Sequence, residues 1–142
     1  MSIYRERVEK LNMNKVIDIL EQTGVIPVVV IENENDAVPL IKAMKDGGIP
    51  VAEVTLRTPA ALGAIRQIAT LADPDIVVGA GSVTTIDQCR EAVRAGAQFI
   101  VSPGFCEEVV KFCIERGVDV IPGCVTPTEI IEAVTCGIKT VK

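Results

Sequence analysis

Short apolar runs alternate with amphipathic stretches along almost the whole chain, with glycines at the joints. The runs at 25–31 (VIPVVVI), 49–56 (IPVAEVTL), 75–79 (DIVVG), 98–101 (QFIV), 118–121 (VDVI) and 138–142 (IKTVK) predict six strands. Helical periodicity falls near 35–46, 59–72, 85–95, 106–116 and 127–135, and an opening amphipathic segment near 4–22 predicts a helix outside the sheet. Thr58-Pro59 and Thr126-Pro127 each set a capping hydroxyl before a proline at the first helical position. Gly24, Gly48, Gly96, Gly117 and Gly137 each precede an apolar run, where a helix C-cap belongs.

Such βα units fit two architectures, a doubly wound open sheet and a (β/α)8 (TIM) barrel. Near-uniform units with polar residues at successive strand C-termini favour the barrel, whose βα loops converge on one mouth. Six strands do not close an eight-stranded barrel, and such barrels run to about 250 residues. A strand ending at Lys142 also leaves an unprotected edge. Residues 1–142 therefore read as a single (β/α) barrel domain, incomplete at its C-terminus, with an N-terminal helix and six strands but without strands 7 and 8.

The second strand carries an awkward pair of charges. By alternation Val51, Glu53, Thr55 and Arg57 share one face, while Ala52, Val54 and Leu56 form an apolar face opposite. Flanking helical patterns argue for a parallel strand covered on both sides. A buried carboxylate and guanidinium are costly unless paired, hydrated or useful. A structural ion pair, a solvated strand end and an active site at a barrel mouth all satisfy that condition.

Composition narrows the chemistry. The 142 residues contain no histidine and no tryptophan, which excludes imidazole metal sites and His-based acid–base catalysis. Proton transfer is left to carboxylates, Lys, Tyr, Cys or water. A net charge of −5 argues against nucleic-acid binding, and no apolar run approaches the ~20 residues of a membrane span. The charged start, MSIYRERVEKLNMNK, lacks the apolar core of a secretion signal, so the expected compartment is the cytoplasm. Five cysteines, Cys89, Cys106, Cys113, Cys124 and Cys136, form no CxxC pair and are expected to be small buried hydrophobes.

The remaining polar residues cluster at strand ends. The third strand is expected to run into a turn, Gly79-Ala80-Gly81-Ser82-Val83-Thr84, whose glycines permit close backbone approach and whose Ser82 offers a hydroxyl. This G-x-G lacks the third glycine and the downstream acid of a dinucleotide fingerprint, so NAD binding is rejected. Ser102-Pro103-Gly104-Phe105 and Pro122-Gly123-Cys124 are expected to shape the mouth. Lys142 lies at the mouth end of the sixth strand, and Lys139 near its start as a solvated rim charge. Lysine, carboxylate and arginine together suit Schiff-base chemistry on a 2-oxo acid: the amine attacks a ketone, the carboxylate shuttles protons and the guanidinium grips a carboxylate.

EVTLRTP at 53–59, VGAGSVTT at 78–85, FIVSPG at 99–104, IPGCVTPTE at 121–129 and GIKTVK at 137–142 closely resemble the 2-keto-3-deoxy-6-phosphogluconate (KDPG) and 4-hydroxy-2-oxoglutarate aldolase family. The five motifs occur in the family's order from about Gly24 onward. The resemblance implies a homotrimeric, cofactor- and metal-independent class I aldolase of the Entner–Doudoroff pathway on a (β/α)8 barrel. Such an enzyme splits KDPG into pyruvate and glyceraldehyde 3-phosphate, and in many members 4-hydroxy-2-oxoglutarate into pyruvate and glyoxylate. Carried over by motif, Lys142 is the Schiff-base lysine, and Glu53 the general acid/base working through a water. Arg57 holds the pyruvate carboxylate, Ser82 stands where the family commonly has threonine, and Pro103 and Phe105 line the pocket. The Phe-Phe-Pro-like run that follows the lysine, and the phosphate site of strands 7 and 8, have no counterpart here. A phosphogalactonate-type aldolase, another phosphate-binding barrel enzyme and a non-catalytic barrel fragment stand as alternatives.

Overall fold

The computed structural model describes residues 16–142, beginning with α1 at residues 16–23. The expected helix at 4–22 therefore lies partly outside the described residues. Five βα units follow: β1 (Val28–Val29), α2 (Ala37–Asp46), β2 (Val51–Thr55), α3 (Ala61–Ala69), β3 (Val77–Gly81), α4 (Ile86–Ala95), β4 (Phe99–Ser102), α5 (Glu107–Arg116), β5 (Asp119–Pro122) and α6 (Pro127–Thr135). A 3-10 turn at Glu34–Asp36 leads into α2. The strands form one parallel sheet in chain order, β1-β2-β3-β4-β5. A doubly wound sheet reverses its strand order at a switch point, and this one does not.

Because each crossover leads to the next neighbour, the helices gather on one side. Ala61, Ala64, Ile65 and Ile68 of α3 recur at i, i+3, i+4 and i+7, and all are buried. They join buried residues of α2, α4 and α5 in one core with Ala52, Val54, Val78, Ala80 and Ile100 from the outer sheet face. The inner face makes a separate core: Val51, Val77, Phe99, Val101 and Ile121, covered by Leu20 with Val16, Ile17 and Ile19 of α1. α1 thus does for the inner face what α2–α5 do for the outer one. β2 is buried at all five positions as a result.

Capping chemistry sets most helix ends. Thr85 with Gln88, and Thr126 with Glu129, form complete capping boxes, and Pro127 stands in the first turn of α6. Thr58 does not cap: its hydroxyl donates to the Ile31 carbonyl at 2.5 Å, and α3 starts only at Ala61. The chain leaves α4 and α5 through Gly96 (φ 104°) and Gly117 (φ 66°), a left-handed turn that a Cβ would disfavour.

Three strand expectations are corrected. The run at 25–31 supplies only two strand residues, because Pro27 has no N–H to give and β1 pairs on one side, with β2. The third strand runs two residues further than expected, so Ala80 and Gly81 join Gly79 inside β3. The sixth strand, 138–142, is not formed as an element. The Ile138 amide is tied back to Ala133 at the end of α6, and among the described residues the segment's backbone hydrogen bonds to the end of β5 are made at Lys142. There the Lys142 N–H donates to the Pro122 carbonyl (2.9 Å) and its carbonyl accepts from the Cys124 N–H (3.2 Å), bracketing Gly123 as one parallel rung does. The cysteines divide as well: Cys89 and Cys113 are fully buried with sulfurs 3.5 Å apart, whereas Cys106, Cys124 and Cys136 are partly exposed.

Asp119 is the inner face's other acid. It pairs in register with Phe99 at the start of β5, and burial raises its carboxyl to about 6 from 3.8. The folded chain then binds a proton that the unfolded chain has released between about pH 4 and pH 6. Stability from this group is full below that window and is lost as pH rises through it. Asp119→Asn should raise the unfolding free energy above pH 6 by on the order of 1–2 kcal/mol and flatten the slope between pH 4 and 6. Urea melts at four pH values read this directly; an unchanged slope would contradict it.

Candidate active site

β2, the end of β3 and the segment ending at Lys142 beside β5 build the site on the inner face. Glu53 sits mid-strand on β2, facing inward with Val51 and Thr55, and its side chain is 4% exposed. Its position in register opposite Gly79 places it between β1 and β3. Lys142, held to β5 by the rung at Gly123, reaches across to it. Nζ lies 3.2 Å from Glu53 Oε1 and 3.5 Å from Oε2. The lysine is 49% exposed and the carboxylate is not, so the pair joins solvent to the buried face.

Arg57 is placed differently from the expectation. β2 stops at Thr55, and the Arg57 N–H turns back to the Thr55 carbonyl at 2.8 Å. The guanidinium is therefore off the strand and exposed, and its Nε donates to Ser82 Oγ at 3.1 Å. Among the described residues no Glu53–Arg57 ion pair forms, and Arg57 stands as a solvated group just past the strand end. Ser82 has φ 57°, one of two non-glycine residues in the left-handed region among the described residues, so the chain turns sharply as it leaves β3. Arginine and serine stand beside each other at the sheet's C-terminal edge.

Pro103 is exposed, and its carbonyl lies hard against Gly123, where a Cβ would sit 2.2 Å from that oxygen. The Ser102 hydroxyl ties the loop by donating to the Gly104 carbonyl (2.8 Å), and the Gly123 N–H donates to the Ser102 carbonyl (2.9 Å). Phe105 packs against the outer core and lines a crevice with Ile131, Glu132 and Cys136 between α5 and α6. It is not among the groups gathered around Glu53, because the loop has already turned into the helix layer by that residue.

The reading from sequence missed what the two β3 glycines do. A Cβ on Gly79 would lie 2.4 Å from the Phe99 ring, and one on Gly81 would lie 2.1 Å from Glu53 Oε1. The signal was available: glycine inside a strand marks a close approach. Among the described residues no three His, Cys, Asp or Glu side chains converge as metal ligands. What the arrangement offers is an amine touching a buried carboxylate, with a guanidinium and hydroxyl pair at the same edge. That set can form and break a carbon–nitrogen bond and move the protons it requires.

A family model for KDPG and KHG aldolase matches residues 16–142. The chain is 47% identical over 133 residues to the 2-dehydro-3-deoxy-phosphogluconate aldolase of Treponema pallidum, covering 92% of this chain and 61% of that protein. It is 43% identical over 124 residues to the KHG/KDPG aldolase of Escherichia coli K12, covering 87% and 58%. The chain thus spans about three-fifths of the length of these relatives. Among solved structures it is similar to KDPG aldolase from Legionella pneumophila with pyruvate captured as a covalent carbinolamine (TM-score 0.74, 41% identity, 79% of this chain and 54% of that one).

The burial asymmetry of the Lys142–Glu53 pair predicts an asymmetry in stability. Lys142→Met strands a buried carboxylate and should cost about 1–3 kcal/mol, whereas Glu53→Gln frees a lysine that already reaches water and should cost less than about 1 kcal/mol. The double variant should recover most of the Lys142→Met loss. Urea denaturation at pH 7 measures all three; equal costs for the two single variants would contradict the pairing.

Proposed function

This chain belongs to the KDPG and KHG aldolase family, and on that premise we propose that it carries the pyruvate-handling chemistry of a class I aldolase. The observation that carries the reading is the 3.2 Å contact between Lys142 Nζ and the buried Glu53 carboxylate. The free amine of Lys142 attacks C2 of a 2-oxo acid and forms a carbinolamine. Glu53, which has taken the proton that Lys142 gave up to become a free amine, returns it as water departs, leaving a protonated imine. The protonated imine then accepts the electron pair of the breaking C3–C4 bond as the C4 hydroxyl gives up its proton. An aldehyde leaves and an enamine remains; protonation at C3 and hydrolysis release pyruvate and restore the amine.

Arg57 holds the substrate carboxylate, with Ser82 fixing its Nε. Holding one end of the substrate fixes the angle of attack at the other. Pro103 and Phe105 belong to the wall of the pocket in this reading, Pro103 through its backbone against Gly123 and Phe105 by supporting the loop from the helix side. The imine is itself the electron sink, so the cycle requires no metal or organic cofactor.

The substrate proposed is KDPG, cleaved to pyruvate and glyceraldehyde 3-phosphate. The name of the Escherichia coli relative favours 4-hydroxy-2-oxoglutarate as a second substrate, cleaved to pyruvate and glyoxylate. The one-directional strand order with helices on a single face supports reading the sheet as an arc of a (β/α)8 barrel. A homotrimer in the cytoplasm completes the proposal.

Borohydride added with pyruvate, followed by peptide mass mapping, should give a stable adduct on Lys142. A folded chain that traps no pyruvate would end the aldolase reading. Glu53→Gln should slow trapping on the order of a hundredfold or more while changing the half-saturating pyruvate concentration little. Arg57→Ala should show the opposite pattern, raising that concentration more than it slows the saturated rate. Turnover of KDPG against 4-hydroxy-2-oxoglutarate separates the two substrates.

A further inference from the structure

Glycine is used at position 81 for a reason that the backbone does not supply. Gly81 is absent from the positive-φ residues, so any amino acid could take its conformation. It is the last residue of a fully buried strand, a place where a β-branched side chain would be the ordinary choice. What excludes a side chain is Glu53. An ideal Cβ on Gly81 would lie 2.1 Å from Glu53 Oε1, 2.6 Å from Cγ and 2.7 Å from Cδ, against contact distances of about 3.5–4.0 Å.

The register explains the encroachment. Glu53 lies opposite Gly79, and Gly81 lies opposite Thr55, two residues further toward the strand ends. The Glu53 side chain does not stand straight up from β2. It leans sideways and forward onto β3, into the space over Gly81. Straight across, the space over Gly79 is taken by the Phe99 ring, which comes from β4 on the other side. Phe99 therefore blocks one direction and Gly81 opens the other, and the carboxylate is delivered to the edge where Lys142 arrives.

We infer that Gly81 is a positioning residue: its missing side chain seats the Glu53 carboxylate against Lys142. The inference deepens the Schiff-base reading and rests on it for its catalytic consequence, but the packing it describes can be tested without turnover. Next in sequence, Ser82 holds Arg57, so one two-residue segment sets two of the three charged groups of the proposed pyruvate site.

The test is a set of double variants. Gly81→Ala should lower stability in urea, and Glu53→Ala, which empties the space the new methyl needs, should relieve most of that loss. Gly79→Ala is the control: its nearest neighbours are Phe99 ring atoms, so Glu53→Ala should not relieve it. If Gly81→Ala does not fold alone, the Glu53→Ala/Gly81→Ala chain should fold, and its failure would overturn the inference. In the borohydride assay Gly81→Ala should slow adduct formation on Lys142 at least about tenfold, with the half-saturating pyruvate concentration within about twofold of the parent. In a Glu53→Gln background the same substitution should slow it no further. Additive losses, or a parent-like rate in Gly81→Ala, would overturn the positioning role. A parent chain that traps no pyruvate would overturn the Schiff-base reading instead, and the stability cycle would still decide whether Gly81 seats Glu53.

Discussion

A parallel sheet wound in chain order puts its helices on one face and must fill the other from elsewhere. In this protein that constraint produces two cores of different character. The outer core is made by amphipathic helices laid side by side, and it is apolar throughout. The inner core depends on α1 and on large side chains that reach across neighbouring strands, above all Phe99. Phe99 needs the bare surface of Gly79 to do this. The inner face is consequently tight at its centre and open toward the C-terminal edge, and the polar groups collect there.

Burying a carboxylate in such a place is unfavourable unless a cation meets it. Glu53 has Lys142, and the pair is unequal: the acid is shut away while the amine keeps access to water. This inequality makes the pair more than a structural tie. In the proposed reading, a lysine that reaches solvent also reaches a substrate, and the buried acid stays behind to exchange protons. Arg57 and Ser82 occupy the adjoining edge without competing for Glu53.

Much of the architecture was legible because local pattern and fold agree. The i, i+3, i+4, i+7 apolar spacing of α3, the Thr126-Pro127 helix start and the glycine joints all carry their meaning within a few residues. Errors came where a tertiary partner outbid the local signal. Thr58 looked like a cap but its hydroxyl went to Ile31, twenty-seven residues away. Alternation placed Arg57 beside Glu53, yet the strand ended at Thr55 and the guanidinium turned to Ser82. Gly81 looked like part of a turn past the third strand, but it is a strand residue, and with Gly79 it leaves room for Glu53 and Phe99. Phe105, carried over from the family motif as a pocket residue, packs against the outer core, where the loop has turned into the helix layer.

By itself the sequence determined the repeating βα units, a second strand covered on both faces, and a set of charged residues at strand ends. These follow from side-chain period and from the conformational limits of glycine and proline, which act over one turn or one strand. It did not determine which charge meets which. Glu53 joins Lys142 across 89 residues of separation, whereas Arg57, four residues away, turns elsewhere. That choice was made by the tertiary structure, because parallel register and the space above Gly81 decide where a carboxylate points. Register has no local trace in the chain, and a glycine in a strand marks a close approach without saying which side chain fills it.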